Sequence, residues 1–231
     1  MLKSARRLVP LLLCFVLIAL PAFGEGGDPA APSQTALEGF YASAFNSEFA
    51  DNHGNVLVRW EIPIRVYLQG SPTAEDLAEL DSFLEDLRKN VPGLPDIAIT
   101  AEREEANVYY SFVPYQEMAD YLEEYETGNW GFMNCLSDKT GIRYGLIAVA
   151  TDKTSRADRS HLIREEFVNM LGLTDDLDFA PESIIYQPYT VTPRLAPVDY
   201  EMLNLLYGPY VRVGMTRAEA EQALKKAYPG I

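Results

Sequence analysis

The side chains best equipped for chemistry fall between His161 and Asp178. His161, Glu165, Glu166 and Asn169 share the polar side of a predicted helix, and Asp175, Asp176 and Asp178 follow in a turn. Imidazole, carboxylate and amide are groups that hold a divalent cation or move a proton. His161 and Glu165 stand four apart and converge on one helix face. His161 and Asn169 are eight apart, roughly 12 Å along a helix axis, so the three cannot share one ion. The aspartates of the turn offer ligands for calcium but lack the remaining positions of an EF-hand loop. The plainer alternative is a solvated helix face followed by an acidic turn.

Other reactive side chains are isolated. Cys135, in Asn129-Trp130-Gly131-Phe132-Met133-Asn134-Cys135, has no His or cationic residue close in sequence to favour a thiolate, and reads as a small apolar core residue. His53 sits in a turn-like Asp51-Asn52-His53-Gly54, and the acidic run Glu123, Glu124 and Glu126 reads as solvation.

The elements that must position these groups follow from periodicity. Ile163, Phe167, Met170 and Leu171 recur at helical spacing, which predicts a helix from Arg156 to Leu173 ended by Gly172, a residue free to take positive φ. Tyr144 to Thr151 is apolar enough for a central strand. A first strand is expected from Val56 to Gln69, with Pro63 arguing for an edge or a bulge. Thr73 caps a helix running to about Arg88, striped by Leu77, Leu80, Leu84 and Leu87. Residues 97–99 and 107–113 read as strands, 115–125 as an acidic helix, and 197–207 as a helix closed by Gly208-Pro209. Thr216 and Glu219 form a capping box for a last helix striped by Ala220, Ala223, Leu224 and Ala227.

Composition narrows the function. Among 231 residues, 34 are acidic and 19 basic, a net charge of −15. An acidic chain is a poor match for nucleic acid or an anionic membrane, which need clustered Lys and Arg. Two cysteines exclude a disulfide framework or a cysteine-rich zinc module, and no Gly-rich phosphate loop follows a strand. Lys3, Arg6 and Arg7 precede an apolar run from Leu8 to Leu20, then Pro21 and the small-residue site Ala22-Phe23-Gly24. That order is a secretory signal peptide, too short to span a membrane, with Cys14 inside the apolar run rather than at its end, where a lipid anchor belongs. The expectation is a secreted or cell-envelope protein with no stable membrane span after cleavage. All three charges of that segment are positive, so the exported chain is more acidic still.

Glu165-Glu166-Phe167-Val168-Asn169-Met170-Leu171-Gly172-Leu173-Thr174-Asp175 has the spacing of the metzincin zinc motif. Downstream, Ser183-Ile184-Ile185-Tyr186-Gln187-Pro188 resembles the Met-turn segment, with Ile185 where the Met would stand. Residues 195–208 are similar to the matrix-metallopeptidase C-terminal helix. More closely, the Glu-Glu-x-x-Asn-x-x-Gly-Leu-x-Asp-Asp form resembles the exported bacterial domain-of-unknown-function family 2927, and Tyr207 and Val213-Gly214-Met215-Thr216 fit it as well.

The resemblance implies an α+β fold: a zincin-like mixed sheet packed on helices, with an active-site-type helix, a Met-turn-like segment and a C-terminal helix. With the signal peptide at 1–24 and a flexible leader at 25–36 that lacks apolar periodicity, it places the zincin-like domain at 37–213 and a packed C-terminal helix at 214–231. By position, Glu165, Asn169 and Asp175 take the metal-ligand places and Glu166 that of the general base. Zinc is ordinarily held by imidazole and thiolate, whereas an all-oxygen set suits calcium, magnesium or manganese, or no metal. A site using His161, Glu165 and a distant residue is an alternative. Two functions follow: a module without ordinary zinc-peptidase activity that binds a peptide or envelope protein in the cleft, or a diverged metal-dependent hydrolase using Glu166 as general base.

Overall fold

Ile64 and Val66 on one strand, Val108, Tyr110 and Phe112 on the next, and Ile147 and Val149 on a third form one continuous buried face. That face organises the fold, because apolar rows of this size must be covered by helices. The structure, a computed structural model, describes residues 31–45 and 56–231. The signal-peptide segment with Cys14, the leader up to residue 30, and His53 lie outside the described residues.

In chain order the elements are α1 (Gln34–Phe45), β1 (Ile64–Gly70), α2 (Ala74–Asn90), β2 (Ile97–Ile99), β3 (Val108–Val113), β4 (Gly131–Asp138), β5 (Gly141–Ala150), α3 (Arg156–Met170), α4 (Pro197–Leu206) and α5 (Arg217–Ala227). The sheet order is β2-β1-β3-β5-β4. Four strands run parallel, and β4 pairs antiparallel with β5 at the edge. Helices α2 and α3 cover the buried face: Phe83 meets Phe167 edge-on at 5.6 Å, and the Tyr110 hydroxyl donates to the Ile163 carbonyl at 3.1 Å. The opposite face is covered in part by the segment after β3, where Met118, Tyr121, Leu122 and Tyr125 pack on Val113, Phe132, Ala148 and Ala150. This is the α+β arrangement, a mixed sheet packed on helices, that the resemblance implies. The α3 helix, the Met-turn-like segment and α4 follow the mixed sheet in the expected order.

Several local expectations are corrected. The expected strand at 56–69 begins only at Ile64; Val56 and Trp60 instead make isolated bridges to Thr216 and Ile142. Pro63 precedes β1, and β1 lies inside the sheet rather than at its edge, because the missing N–H falls just before the paired stretch. Residues 34–36, placed in the leader, are the first turn of α1, whose Ala36, Leu37 and Phe40 are buried in the main core. The acidic stretch expected as a helix at 115–125 is a short 3₁₀ turn over Tyr115–Asp120, its aromatic residues turned to the sheet. Strand β4 forms where the sequence pattern indicates no strand. Thr73 and Thr216 both complete capping boxes, as their spacing indicates, and Ala220 and Leu224 seat α5 on the main core.

Candidate functional site

Helix α3 is fixed at both ends before any functional group is considered. Ser155 Oγ accepts the Asp158 N–H and Asp158 Oδ2 accepts the Ser155 N–H, closing a capping box at its start. Arg159 reaches Asp76 at 2.7 Å and Arg164 reaches Glu79 at 2.6 Å, locking the helix to α2. At the far end the Trp60 indole N–H donates to the Met170 carbonyl at 3.0 Å. Gly172 then takes φ +115°, where a Cβ would stand 2.6 Å from the Val58 carbonyl. Only glycine meets both demands, so the chain turns sharply here into the aspartate segment.

That segment is held from two sides. The Thr174 N–H donates to the Ser43 carbonyl at 3.1 Å and the Asp175 N–H to Ser43 Oγ at 3.3 Å, both from α1. The Leu177 N–H donates to Ile185 O and the Gln187 N–H to Leu177 O, each at 2.8 Å, stitching the turn to the Met-turn-like segment. Ser183 Oγ donates to Asp199 Oδ1 at 2.5 Å, and the Ile184 and Ala196 N–H groups donate to the same buried carboxyl. Burial pushes Asp199 up to about 6 against these donors. Ile185, at the Met position, is itself fully buried.

Between these supports lies an open cleft of about 750 Å³. Its floor is α3, one wall is Trp130 with β4 from Gly131 to Met133, and the other is the aspartate turn with residues 186–190. Glu165, Glu166, Asn169 and Asp175 all line it, so the structure brings together every residue that the spacing singled out. His161, Asp158, Asp176 and Asp178 line it too.

Burial and neighbouring charges act on three of these titratable groups, Glu166, His161 and Asp158. Burial pushes the Glu166 carboxyl well above the usual carboxylate range, and the charges of Glu165 and Asp176 push it further. Burial alone would lower His161, but the hydrogen bond and charge of Glu165, the Thr192 carbonyl and the charge of Asp176 outweigh it and raise the imidazole. His161 Nδ1 donates to Thr192 O at 3.0 Å, and Nε2 lies 3.4 Å from Glu165 Oε2. Both ring nitrogens thus face acceptors, which favours the doubly protonated imidazolium. The Asp158 carboxyl is held low, first by the Tyr189 hydroxyl that donates to it and then by Ser155. Asn169 is buried, and its Oδ1 is a buried acceptor with no hydrogen-bond partner.

The donor types on the floor bear on what it can hold. Both His161 ring nitrogens are engaged, Nδ1 by the Thr192 carbonyl and Nε2 by Glu165, and the cleft lining contains no cysteine. Zinc in its ordinary nitrogen- and sulfur-rich set does not fit a floor of carboxylates and one amide with a single, already engaged imidazole. Among the described residues no group of three or more His, Cys, Asp and Glu side chains is placed to hold a metal ion.

Two features escaped the sequence reading. Gly131 faces α3 so closely that a Cβ there would stand 2.5 Å from Glu166 Oε1, which makes β4 a wall of the cleft. A glycine inside a strand is the signal for such an approach. The Asp158–Tyr189 contact joins residues distant in sequence, and no local pattern announces it. Cys135 lies on β4, its thiol pushed up to about 11 by burial, in keeping with an inert side chain.

The profile of the family described as Protein of unknown function (DUF2927) matches residues 33–226. The chain belongs to that family. The match spans α1 to α5 and so takes in the whole cleft. No curated protein matches the sequence. Two solved structures of myroilysin are similar in part. One shares 13% identity at a TM-score of 0.44, covering 80% of this chain and 100% of that one. The other shares 11% at 0.40, covering 67% and 97%. Among the described residues no helix is long and apolar enough to cross a membrane.

Proposed function

We propose that this family member is an exported zincin-like module that binds an extended segment of a peptide or envelope protein in its cleft, without ordinary zinc-peptidase activity. The observation that carries this reading is the pairing of an edge strand with a floor unsuited to zinc. Strand β4 has β5 on one side and, among the described residues, no strand on the other. An edge of this kind presents backbone donors and acceptors to which an added strand can pair. Beside it, His161 is engaged by Thr192 and Glu165, and burial with the charges of Glu165 and Asp176 pushes the Glu166 carboxyl well above the usual carboxylate range. Glu165, Asn169 and Asp175 then act as polar contacts for the bound segment rather than as zinc ligands.

A second reading, a diverged metal-dependent hydrolase with Glu166 as general base, draws on one observation. Glu166 lies against Gly131, at the wall where the backbone of an edge-bound segment would run. One experiment separates the two: metal analysis of the protein purified without chelator or immobilised metal, paired with a peptide-binding screen. Binding of extended peptides to protein free of stoichiometric metal is the expected result. About one equivalent of metal, lost on Glu165→Ala or Asp175→Ala, together with cleavage lost on Glu166→Gln, would overturn it.

A further inference from the structure

Residues 187–194 cross the start of α3. On one side residues 186–190 line the cleft; on the other Pro193 and Arg194 border a groove with Arg156, Ser160 and Arg164. The crossing is anchored at both ends. At one, the Gln187 N–H donates to Leu177 O at 2.8 Å. At the other, Leu195 is buried in the main core and the Ala196 N–H donates to Asp199 Oδ2 at 2.7 Å. Between these anchors no residue is buried. Two hydrogen bonds tie the stretch to α3: the Tyr189 hydroxyl donates to Asp158 Oδ1, and His161 Nδ1 donates to Thr192 O at 3.0 Å. Backbone held by so few contacts, with no apolar side chain in the core, belongs to the part of a fold that opens most easily.

The same stretch leaves apolar surface in water. Tyr189 is 78% exposed, held by its hydroxyl, and Trp130 on the opposite wall of the cleft is 39% exposed. Two aromatic rings, one on each wall, are surface that a bound segment would cover. Resting on the peptide-groove reading above, we propose that residues 187–194 are a strap latched open on α3 by the Tyr189–Asp158 contact, and that it closes on the bound segment, laying the Tyr189 ring over it opposite Trp130. The latch can release without harm to the helix, because Asp158 Oδ2 keeps the Ser155 N–H of the capping box and only Oδ1 serves Tyr189. The His161–Thr192 bond lies nearer the far anchor and holds that end in place. A ligand that needs the strap released binds more weakly by the fraction of molecules in which it is latched.

The test sets two substitutions of one residue against each other in the full chain, titrated into a fluorescent pool of randomised decapeptides. Tyr189→Phe keeps the ring and removes the latch; Tyr189→Ala removes both. Tyr189→Phe is expected to bind about fivefold more tightly than the native protein, the worth of one ordinary hydrogen bond. Tyr189→Ala, equally unlatched but without the ring, is expected to bind at least about tenfold more weakly than Tyr189→Phe. The residue is exposed, so all three proteins are expected to fold and to unfold at the same temperature. Without any peptide, amide hydrogen exchange at residues 189–192 is expected to run about fivefold faster in Tyr189→Phe than in the native protein, with α3 unchanged. Unchanged exchange overturns the strap, since the latch would then hold nothing. Binding by Tyr189→Phe no tighter than by the native protein overturns it too and leaves the groove reading standing. Absence of binding by all three proteins overturns both.

Discussion

Glu166 Oε1 occupies the space that a side chain on residue 131 would need: a Cβ built on Gly131 stands 2.5 Å from it, and 2.8 Å from Leu162 Cδ2. The floor and wall of the cleft are therefore in direct contact through one glycine. Gly131→Ala must push α3 and β4 apart or rotate the buried carboxyl, at a cost of about 1–3 kcal/mol, typical of overpacking. In a Glu166→Ala background the cost should shrink, because the closest obstacle is gone. Urea denaturation of the four proteins in a double-mutant cycle measures this coupling. The same Gly131→Ala penalty in both backgrounds would show that the contact does not exist.

Asn169 invites the opposite expectation. Most buried asparagines are worth their hydrogen bonds, and replacing them destabilises. Here Oδ1 has none, so Asn169→Leu, which keeps the volume and removes an unsatisfied acceptor, should be neutral or stabilise by up to about 2 kcal/mol. Thermal unfolding checks it. A loss above about 1 kcal/mol would mean that the amide is structural and has no acceptor to spare.

Tyr207 holds the far end of α3. Its hydroxyl donates to the Leu171 carbonyl at 2.7 Å and accepts the Trp60 N–H at 3.3 Å, all buried. Removing that single oxygen leaves both backbone groups stranded without water. Tyr207→Phe should cost about 1–3 kcal/mol with no change in the cleft's chemistry, because Tyr207 does not line it. Unfolding midpoints together with peptide affinity distinguish this from a site effect.

What the sequence made legible was local. The polar face of α3, the Gly172 turn and the two threonine capping boxes depend on spacings within a few residues, and the structure has them all. What it hid was non-local. The Ser43 contacts that hold the aspartate turn join residues more than a hundred positions apart. Strand β4 was missed because its alternation is weak and its burial depends on α3. The Asp138-Lys139-Thr140-Gly141 junction, with Gly141 at φ +117°, was the available hairpin signal. Segment 56–63 has strand-like alternation yet makes only single bridges, because Trp60 is committed to the end of α3 instead.

Asp199 gives the fold a pH dependence whose sign can be worked out. Burial holds its carboxyl at about 6 in the folded protein, above an ordinary value of 3.8. The folded state therefore binds this proton more tightly than the unfolded chain does. Its contribution to stability is complete below about pH 4, declines as pH rises through 6, and is gone above that, a change of about 2–3 kcal/mol. Asp199→Asn removes the titration while keeping one carbonyl oxygen for the Ser183, Ile184 and Ala196 donors. The stability advantage of the native protein over Asp199→Asn should accordingly be larger at pH 4 than at pH 7.5. Chemical denaturation of both proteins across that range measures it. An advantage that grows with pH would mean that the donors around the carboxylate outweigh its burial, and that Asp199 anchors the Met-turn-like segment as a charged group.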